Sequence, residues 1–189
     1  MESVTLTTGR LLLRTLTSDD IDAVHAICQD PAIQRWISVP APYERGHAEH
    51  FVERLVADGW RSGTNCTFGF LPLGGGPLMG AVSAHRRTGT WEIGYWTAKE
   101  HRGRGHTVEA VGAVARWIFT ELGAGRLEWR AEVGNEASRA VAEKAGFVVE
   151  GVLRAALLQR DTLRDAWVGA LLPSDLGLPA THPYLPARS

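Results

Sequence analysis

The sequence is poor in cysteine, and its two cysteines stand far apart. Only Cys28 and Cys66 occur among the 189 residues, so the chain has neither a disulfide framework nor cysteines at metal-ligand spacing. Cys28 lies in a stretch of helical apolar spacing and Cys66 in a strand-like stretch, which predicts two core thiols without a catalytic role. This composition favours a reducing compartment, and we predict a cytoplasmic protein without a metal site.

Long hydrophobic runs and an excess of one charge are also missing. No apolar stretch approaches the ~20 residues of a membrane span, and the first residues lack the basic start and apolar run of a signal peptide. Lys and Arg total 20 against 21 Asp and Glu, a formal net charge of -1, whereas nucleic-acid-binding proteins usually carry a strong basic excess. We therefore predict neither a membrane nor a nucleic acid as partner.

The periodicity of the apolar residues alternates between strand and helix. Period-two alternation or short apolar runs predict strands at 10–16, 65–72, 77–86, 90–97, 126–133, 147–158 and 163–172, and helical spacing predicts helices at 18–30, 44–60, 105–122 and 135–145. Residues 31–43 are predicted to be a connecting loop, because Asp30-Pro31 is typical of a helix end. Hairpins mixed with strand-helix-strand crossovers predict an α/β fold with a mixed sheet and helices on both faces. We expect one domain over 1–172 and an irregular, proline-rich tail over 173–189.

A glycine-rich turn precedes the longest predicted helix. Gly103 and Gly105 bracket Arg104 there, and glycine lets backbone N–H groups approach a ligand closely. The helix N-terminus adds unpaired donors and partial positive charge, so the turn is suited to hold phosphate. The run 74–76, also glycine, lacks a following Lys-Ser/Thr and helix, which indicates a hairpin turn. A Rossmann dinucleotide site is excluded because the turn at 103–108 lacks the third glycine.

Four motifs in order carry a resemblance to a known family. They read EIGYW at 92–96, HRGRG at 101–105 leading to Glu109-Ala110, NEAS at 135–138, and EKAGF at 143–147 followed by Glu150-Gly151. In this order and spacing the chain resembles the GNAT superfamily of acyl-CoA-dependent N-acyltransferases over roughly residues 10–172. It is most similar to the branch of the bacterial Rim-type ribosomal-protein N-terminal acetyltransferases.

The resemblance implies a central sheet of about seven mostly antiparallel strands that splays at a coenzyme groove. It implies acetyl-CoA as cosubstrate and a primary amine as acceptor, such as a protein N-terminus or a small-molecule amine, with direct transfer in a ternary complex. A homodimer is common in that branch and is expected here. Coenzyme contacts are implied on the strand end, the turn and the later helix, at Tyr95, Trp96, Thr97, Arg102, Gly103, Arg104, Gly105, His106, Thr107, Asn135, Ser138 and Arg139.

Three residues are candidates for the chemistry. Ser138 could give a proton to the departing thiolate, or it could simply be a small polar residue of a first helical turn. Glu92 could act as a base through water, or it could be a salt-bridged strand residue. Backbone N–H groups near Tyr95, freed where the strand splays, could stabilise the oxyanion.

Two positions depart from the family pattern. Glu100 stands where the family commonly has Gln or Arg, so we expect its side chain to point away from the pyrophosphate. Residues 154–158 lack the carboxylate that assists catalysis in the closest branch, which leaves the acceptor open. An alternative function is a coenzyme-binding regulatory or interaction module that keeps the fold without turnover, and an occluded acceptor groove would favour it.

Overall fold

The structure, a computed structural model, describes residues 1–187 and contains one eight-stranded sheet. The strands are β1 Leu6–Thr7, β2 Leu11–Arg14, β3 Asn65–Pro72, β4 Gly80–Arg87, β5 Thr90–Thr97, β6 Leu127–Glu132, β7 Val148–Gln159 and β8 Thr162–Leu171. Their order across the sheet is β1-β2-β3-β4-β5-β6-β8-β7. β5 and β6 pair in parallel, whereas the other neighbours are antiparallel. The predicted mixed α/β fold is thus confirmed, with β1 as an additional short edge strand.

Six α-helices connect or flank these strands. They are α1 Ile21–Ile27, α2 Pro31–Trp36, α3 Arg45–His50, α4 Ala57–Ser62, α5 His106–Glu121 and α6 Glu136–Lys144. A π-helical stretch, Phe51–Val56, joins α3 to α4, so the predicted helix over 44–60 is nearly continuous. Ser138 of α6 contacts Tyr95 on one face of the sheet. Arg35 of α2 pairs with Glu132, which alternation places on the other face.

The predicted loop over 31–43 is wrong in its first half, where α2 begins. Asp30 caps this helix by accepting a hydrogen bond from the Ala32 amide at 2.9 Å, and Pro31 occupies the first turn. Proline is well tolerated at the first helical position, because its missing N–H would have no intrahelical acceptor there. The same Asp-Pro pair that indicates a helix end therefore begins a helix here.

The core is apolar and encloses both cysteines. Leu11 and Leu13, which strand alternation places on one face, are fully buried, and the rings of Trp60, Phe68 and Trp117 pack together with centroids 5.0 to 5.8 Å apart. Burial raises the pKa of the Cys28 and Cys66 thiols to about 11. Both thiols are therefore neutral at physiological pH, and neutral thiols are poor nucleophiles. The prediction that they are core residues is confirmed.

The buried face of α6 differs from the predicted stripe. Apolar spacing over 135–145 predicts a buried stripe of Ala137, Ala140, Val141 and Ala145. Ala145 is buried as predicted, but Ala137 and Ala140 are exposed and Ala142 is buried instead. The helix is oriented so that Ser138, four residues before the buried Ala142, faces the sheet. Apolar spacing also predicts an inward side chain for Leu55 in the helix over 44–60 and for Val133 in the strand over 126–133, but these side chains are 50% and 40% exposed.

The C-terminal tail begins with a short 3-10 turn, Pro173–Leu176, instead of being irregular throughout. The Leu176 carbonyl accepts a hydrogen bond from Arg116 at 3.3 Å, and the Thr181 hydroxyl donates to the Gly123 carbonyl at 3.2 Å. These bonds hold the tail against the end of α5. The domain boundary at residue 172 stays a prediction, and part of the predicted tail, residues 188 and 189, lies outside the described residues. None of the helices in 1–187 has both the length and the apolar character needed to cross a bilayer.

Candidate functional site

β5 and β6 begin as a parallel pair and then separate. Their pairing covers Trp91 with Leu127, Glu92 with Glu128 and Ile93 with Trp129. β5 continues to Thr97 along β4, and β6 continues to Glu132 along β8. The β6-facing edge of residues 94–97 therefore has no ladder partner. We call the space between the two diverging strands the wedge; its β5 side carries backbone groups that need hydrogen-bond partners.

The glycine turn leads from the open end of β5 into α5. Gly103 and Gly105 have φ angles of 74° and 76°, a left-handed conformation that glycine adopts without steric cost. Gly105 is the N-cap of α5, and the first helical hydrogen bond runs from the Glu109 amide to the Gly105 carbonyl at 3.1 Å. A glycine cap offers no side-chain acceptor, so the amides before Glu109 are donors without an intrahelical partner. Such a set of amides can bind an anion.

Side chains tie this turn to the end of β5. The hydroxyls of Thr97 and Thr107 are 2.6 Å apart. Arg102, a predicted coenzyme contact, donates from Nε to the Thr97 carbonyl at 3.0 Å and from Nη2 to Asp30 at 2.5 Å. Its guanidinium is thus engaged within the protein. Arg104 and Glu100 are both exposed, and exposure leaves the acidic side chain room to avoid a bound phosphate.

The start of α6 brings four residues together beside the wedge. The Asn135 carboxamide oxygen accepts from the Ser138 amide at 3.2 Å. The Ser138 hydroxyl accepts from Trp129 Nε1 at 3.0 Å and donates to the Tyr95 oxygen at 3.3 Å. Tyr95 in turn donates to the Ser138 carbonyl at 2.7 Å. β5, β6 and α6 therefore each contribute to one hydroxyl cluster, which we define as Tyr95, Trp129 and Ser138.

Burial keeps the tyrosine of this cluster protonated. Desolvation raises the pKa of Tyr95 well above its usual value, although hydrogen bonds with Ser138 and Trp129 act in the opposite direction. A buried phenolate would lose the water that stabilises its charge. The cluster therefore holds two hydroxyl protons at neutral pH, one on each hydroxyl oxygen.

Glu92 and Arg139 lie apart from this cluster. Glu92 pairs with Arg87 at 3.2 Å and lies 3.8 Å from Arg130, and strand alternation points it to the face opposite Tyr95. Arg139 donates to Glu143 at 2.9 Å, and its guanidinium lies 4.9 Å from the centroid of the Trp167 ring. Their predicted roles as base and coenzyme ligand thus receive no added support from their contacts, and both roles stay predictions.

The two histidines of the turn region are near each other. The Nδ1 atoms of His101 and His106 are buried without a hydrogen-bond partner in the described part of the chain. The pKa of His106 is lowered, first by desolvation and then by the positive charges of Arg10 and Arg104, although the Glu109 carboxylate acts in the opposite direction. His106, a predicted coenzyme contact, is therefore a neutral imidazole beside the turn at physiological pH.

Sequence reasoning missed two residues that position this site. Trp129 was predicted only as an inward strand residue, yet a buried indole N–H needs an acceptor, and Ser138 supplies it. Asp30 was interpreted as a helix end, but its carboxylate both caps α2 and holds Arg102. The role of Trp129 could have been found by asking which polar group accepts a hydrogen bond from its buried indole N–H. The role of Asp30 leaves no local signal, because its partner is 72 residues away.

No other feature of the described residues competes with the wedge as a site. Two surface depressions of about 310 and 360 Å³ lie elsewhere, one beside Trp60 and one beside Leu178. Residues 1–187 contain no group of three or more His, Cys, Asp or Glu side chains arranged to hold a metal ion. The wedge is the place where free backbone donors and buried hydroxyls occur together.

Comparisons with known proteins agree with this geometry. Residues 10–148 match the family described as the acetyltransferase (GNAT) domain. YjcK of Bacillus subtilis, named a probable N-acetyltransferase, is 35% identical over 136 residues, which is 70% of this chain and 72% of YjcK. YdaF of the same organism, provisionally named a ribosomal N-acetyltransferase, is 43% identical over 82 residues. That match covers 42% of this chain and only 45% of YdaF.

A solved structure has the same fold and contains a coenzyme. RimJ of Mycobacterium smegmatis, in complex with CoA-disulfide, superposes with a TM-score of 0.80 and 22% sequence identity. The superposition covers 95% of this chain and 91% of RimJ. At this identity the likeness concerns the fold.

Proposed function

Since this chain belongs to the GNAT acetyltransferase family, we propose that it transfers an acetyl group from acetyl-CoA directly to a primary amine. One observation carries the proposal: the unpaired edge of β5 leads straight into the uncapped start of α5. The turn that we propose to hold phosphate is thus continuous with a strand edge whose backbone groups need hydrogen-bond partners. Acyl-CoA has the same order of parts, with a pyrophosphate joined through a pantetheine arm to a thioester.

Each part of the coenzyme has a matching set of groups. The amides between Gly103 and Glu109 would hold the pyrophosphate, because they lack intrahelical acceptors. The edge over 94–97, which includes the predicted contacts Tyr95, Trp96 and Thr97, would bond the amide groups of pantetheine. Asn135, at the start of α6, would lie near the sulfur end of the arm. This arrangement puts the thioester beside the hydroxyl cluster.

The reaction then needs few groups. The neutral amine attacks the thioester carbonyl carbon, and backbone N–H groups of the wedge stabilise the oxyanion that forms. When the C–S bond breaks, the leaving sulfur takes the proton of the Ser138 hydroxyl. Tyr95, whose oxygen lies 3.3 Å from the serine oxygen, passes its proton to the serine. The proton that the attacking nitrogen loses restores Tyr95, so the net transfer is from nitrogen to sulfur. Holding both substrates in one groove supplies much of the rate by proximity.

The acceptor we propose first is a protein N-terminus, with a small-molecule amine as the other choice. An α-amino group has a pKa of ~7.7–8.0, so a useful fraction is neutral at physiological pH and only a modest base is required. Glu92 stays the predicted base, acting through water, although its side chain pairs with Arg87 on the face opposite the hydroxyl cluster. YdaF, which matches part of this chain, is named for ribosomal acetylation. We therefore propose peptides with the N-termini of ribosomal proteins as the first acceptors to test.

The experiment is an acceptor screen that follows free thiol release from acetyl-CoA. Peptides with a free α-amine are compared with the same peptides blocked at the N-terminus, together with a panel of small amines. We expect release that depends on a free amine. Equal release with free and blocked peptides would contradict amine transfer. Saturable coenzyme binding without turnover on any amine would favour the regulatory or interaction module instead.

We propose a homodimer as well, because the resemblance to the Rim-type branch implies one. Light scattering on the purified chain at several concentrations would test it. A mass near twice the 20.6 kDa of the chain is expected, and a constant monomer mass would contradict the dimer.

A further inference from the structure

The turn between β1 and β2 packs against the first turn of α5. The Thr8 hydroxyl donates to Glu109 Oε1 at 2.5 Å, and the Arg10 amide donates to the same oxygen at 3.0 Å. Arg10 Nε donates to Glu109 Oε2 at 2.6 Å. These contacts join segments about one hundred residues apart in sequence. Thr8 and Arg10, from the β1–β2 turn, thus hold Glu109 in the first turn of α5, which follows the glycine turn.

Arg10 also reaches the turn itself. Its Nη1 donates to the Arg104 carbonyl oxygen at 3.1 Å. The Arg104–Gly105 peptide is trans, since the cis peptide of the described residues is Ala41–Pro42. The C=O and N–H of a trans peptide point in opposite directions. With its carbonyl held by Arg10, this peptide therefore directs the Gly105 N–H away from Arg10.

The same guanidinium balances a charge that opposes anion binding. Glu109 is a carboxylate in the first turn of α5. Partial burial tends to raise the pKa of Glu109, but hydrogen bonds from Thr8 and Arg10 outweigh it and hold the pKa below its usual value. Glu109 is therefore charged at neutral pH. Without a cation beside it, this charge would repel a pyrophosphate at the neighbouring amides.

We infer that Arg10 is a positioning residue for the coenzyme pyrophosphate. It fixes the Arg104–Gly105 peptide so that the Gly105 amide is available to the anion, and it neutralises Glu109. The inference rests on the proposed function, since it assumes that the turn holds acyl-CoA. Each guanidinium nitrogen of Arg10 has a partner within the protein, which engages three of its five N–H donors. We therefore assign Arg10 a role through the turn, and the variants below separate this role from direct contact.

The test compares two acyl donors that differ in the pyrophosphate. Acetyl-CoA carries it, whereas S-acetylpantetheine presents the same thioester without it. We expect Arg10→Met to weaken coenzyme A binding about tenfold in calorimetry, which corresponds to about 1.4 kcal/mol. The KM for acetyl-CoA should rise by a similar factor with kcat unchanged, because Arg10 does not touch the hydroxyl cluster. Turnover with S-acetylpantetheine should be unchanged.

Arg14, the last residue of the strand that follows Arg10, provides a matched control. It forms a two-point ion pair with Asp20, at 2.7 and 3.0 Å, and does not contact the turn. Arg14→Met should lower thermal stability and leave coenzyme A affinity unaltered. Arg10→Lys keeps the positive charge but lacks the planar fork that holds Glu109 and the Arg104 carbonyl together. Its affinity should lie between those of the wild type and Arg10→Met.

A double variant separates the indirect role from direct contact. Glu109→Gln in the Arg10→Met background removes the uncompensated charge and should restore part of the affinity. The same change in the wild type should have a smaller effect, because Arg10 already balances Glu109 there, whereas a purely direct contact of Arg10 would give equal effects in both backgrounds. Unchanged affinity in Arg10→Met, no recovery in the double variant, or an equal loss with both donors would overturn the inference. A wild-type protein that fails to bind coenzyme A would overturn the proposed function itself. Wild-type binding with an unaffected Arg10→Met would overturn the inference alone.

Discussion

Two helices start at the wedge, and they start differently. α5 has Gly105 as its cap, in a left-handed conformation and without a side-chain acceptor. α6 has Asn135, whose side chain accepts the Ser138 amide at 3.2 Å. One helix therefore exposes free amides, whereas the other satisfies an amide with its own cap.

The difference matches the two tasks of an acyltransferase. The start of α5 leaves its donors to a ligand, so binding there depends on backbone conformation. The start of α6 uses its cap to fix the first turn, which holds one side chain, Ser138, against Trp129 and Tyr95. We therefore assign coenzyme affinity to the start of α5 and turnover to the start of α6. Substitutions at the two starts should separate these two quantities.

The largest expected effect is at the α6 start. Ser138→Ala removes the proposed proton donor, and loss of general acid catalysis typically costs on the order of 10²-fold or more in kcat. Coenzyme A affinity should change little. The variant also leaves the buried indole N–H of Trp129 without an acceptor, so its folding must be checked by thermal melting. Ser62→Ala, at the exposed end of α4, is the control. Full activity in Ser138→Ala would remove Ser138 from the chemistry.

The effect expected next in size is at the α5 start. Gly105→Ala introduces a side chain at φ 76°, where an L-residue costs roughly 1–2 kcal/mol. Without ligand, the substituted turn can relax to an unstrained conformation. Coenzyme A binding must then restore the left-handed conformation at this cost, so the affinity should fall about tenfold while kcat is preserved. Gly112→Ala, in the middle of the same helix and with open space around the added carbon, should leave affinity intact. Equal affinities in these two variants would contradict the role of the turn.

The smallest expected effect is the response of turnover to high pH. Because burial raises the pKa of Tyr95 above its usual value of about 10, its hydroxyl stays protonated as the pH passes through the ordinary tyrosine range. With a peptide α-amine as acceptor, kcat/KM should rise through pH 7–8 as the amine loses its proton, and then stay level to about pH 10. A decline beginning near pH 9, in a protein still folded, would show that a group of ordinary pKa supplies the proton.

The sequence was sufficient for most of the fold and for the position of the turn. Strand alternation defined β5 to the residue, and the cap residues Gly105 and Asn135 were both predicted next to the helices they begin. These features are local: each depends on residues within one turn or one strand. The motif resemblance then indicated the splay between β5 and β6, which no periodicity could reveal.

The contacts that position the site were not predictable in this way. Arg10 and Glu109, Asp30 and Arg102, and Trp129 and Ser138 meet only after the chain has folded. Two of these pairs are separated by more than 70 residues, and the third forms across the boundary between a strand and a helix. Glu92 shows the converse case. Its motif suggested a catalytic carboxylate, but its ion pairs with Arg87 and Arg130 depend on the register of neighbouring strands.

The most direct test of the central claim observes the amides at the start of α5 themselves. In a titration of the isotope-labelled protein with coenzyme A, followed by amide nuclear magnetic resonance, we predict the largest shifts at Gly103, Gly105 and the residues up to Val108. The Ser138 amide, already held by Asn135, should move much less. Saturable binding in which the amides between Gly103 and Val108 do not shift would contradict the claim that this turn holds the coenzyme pyrophosphate.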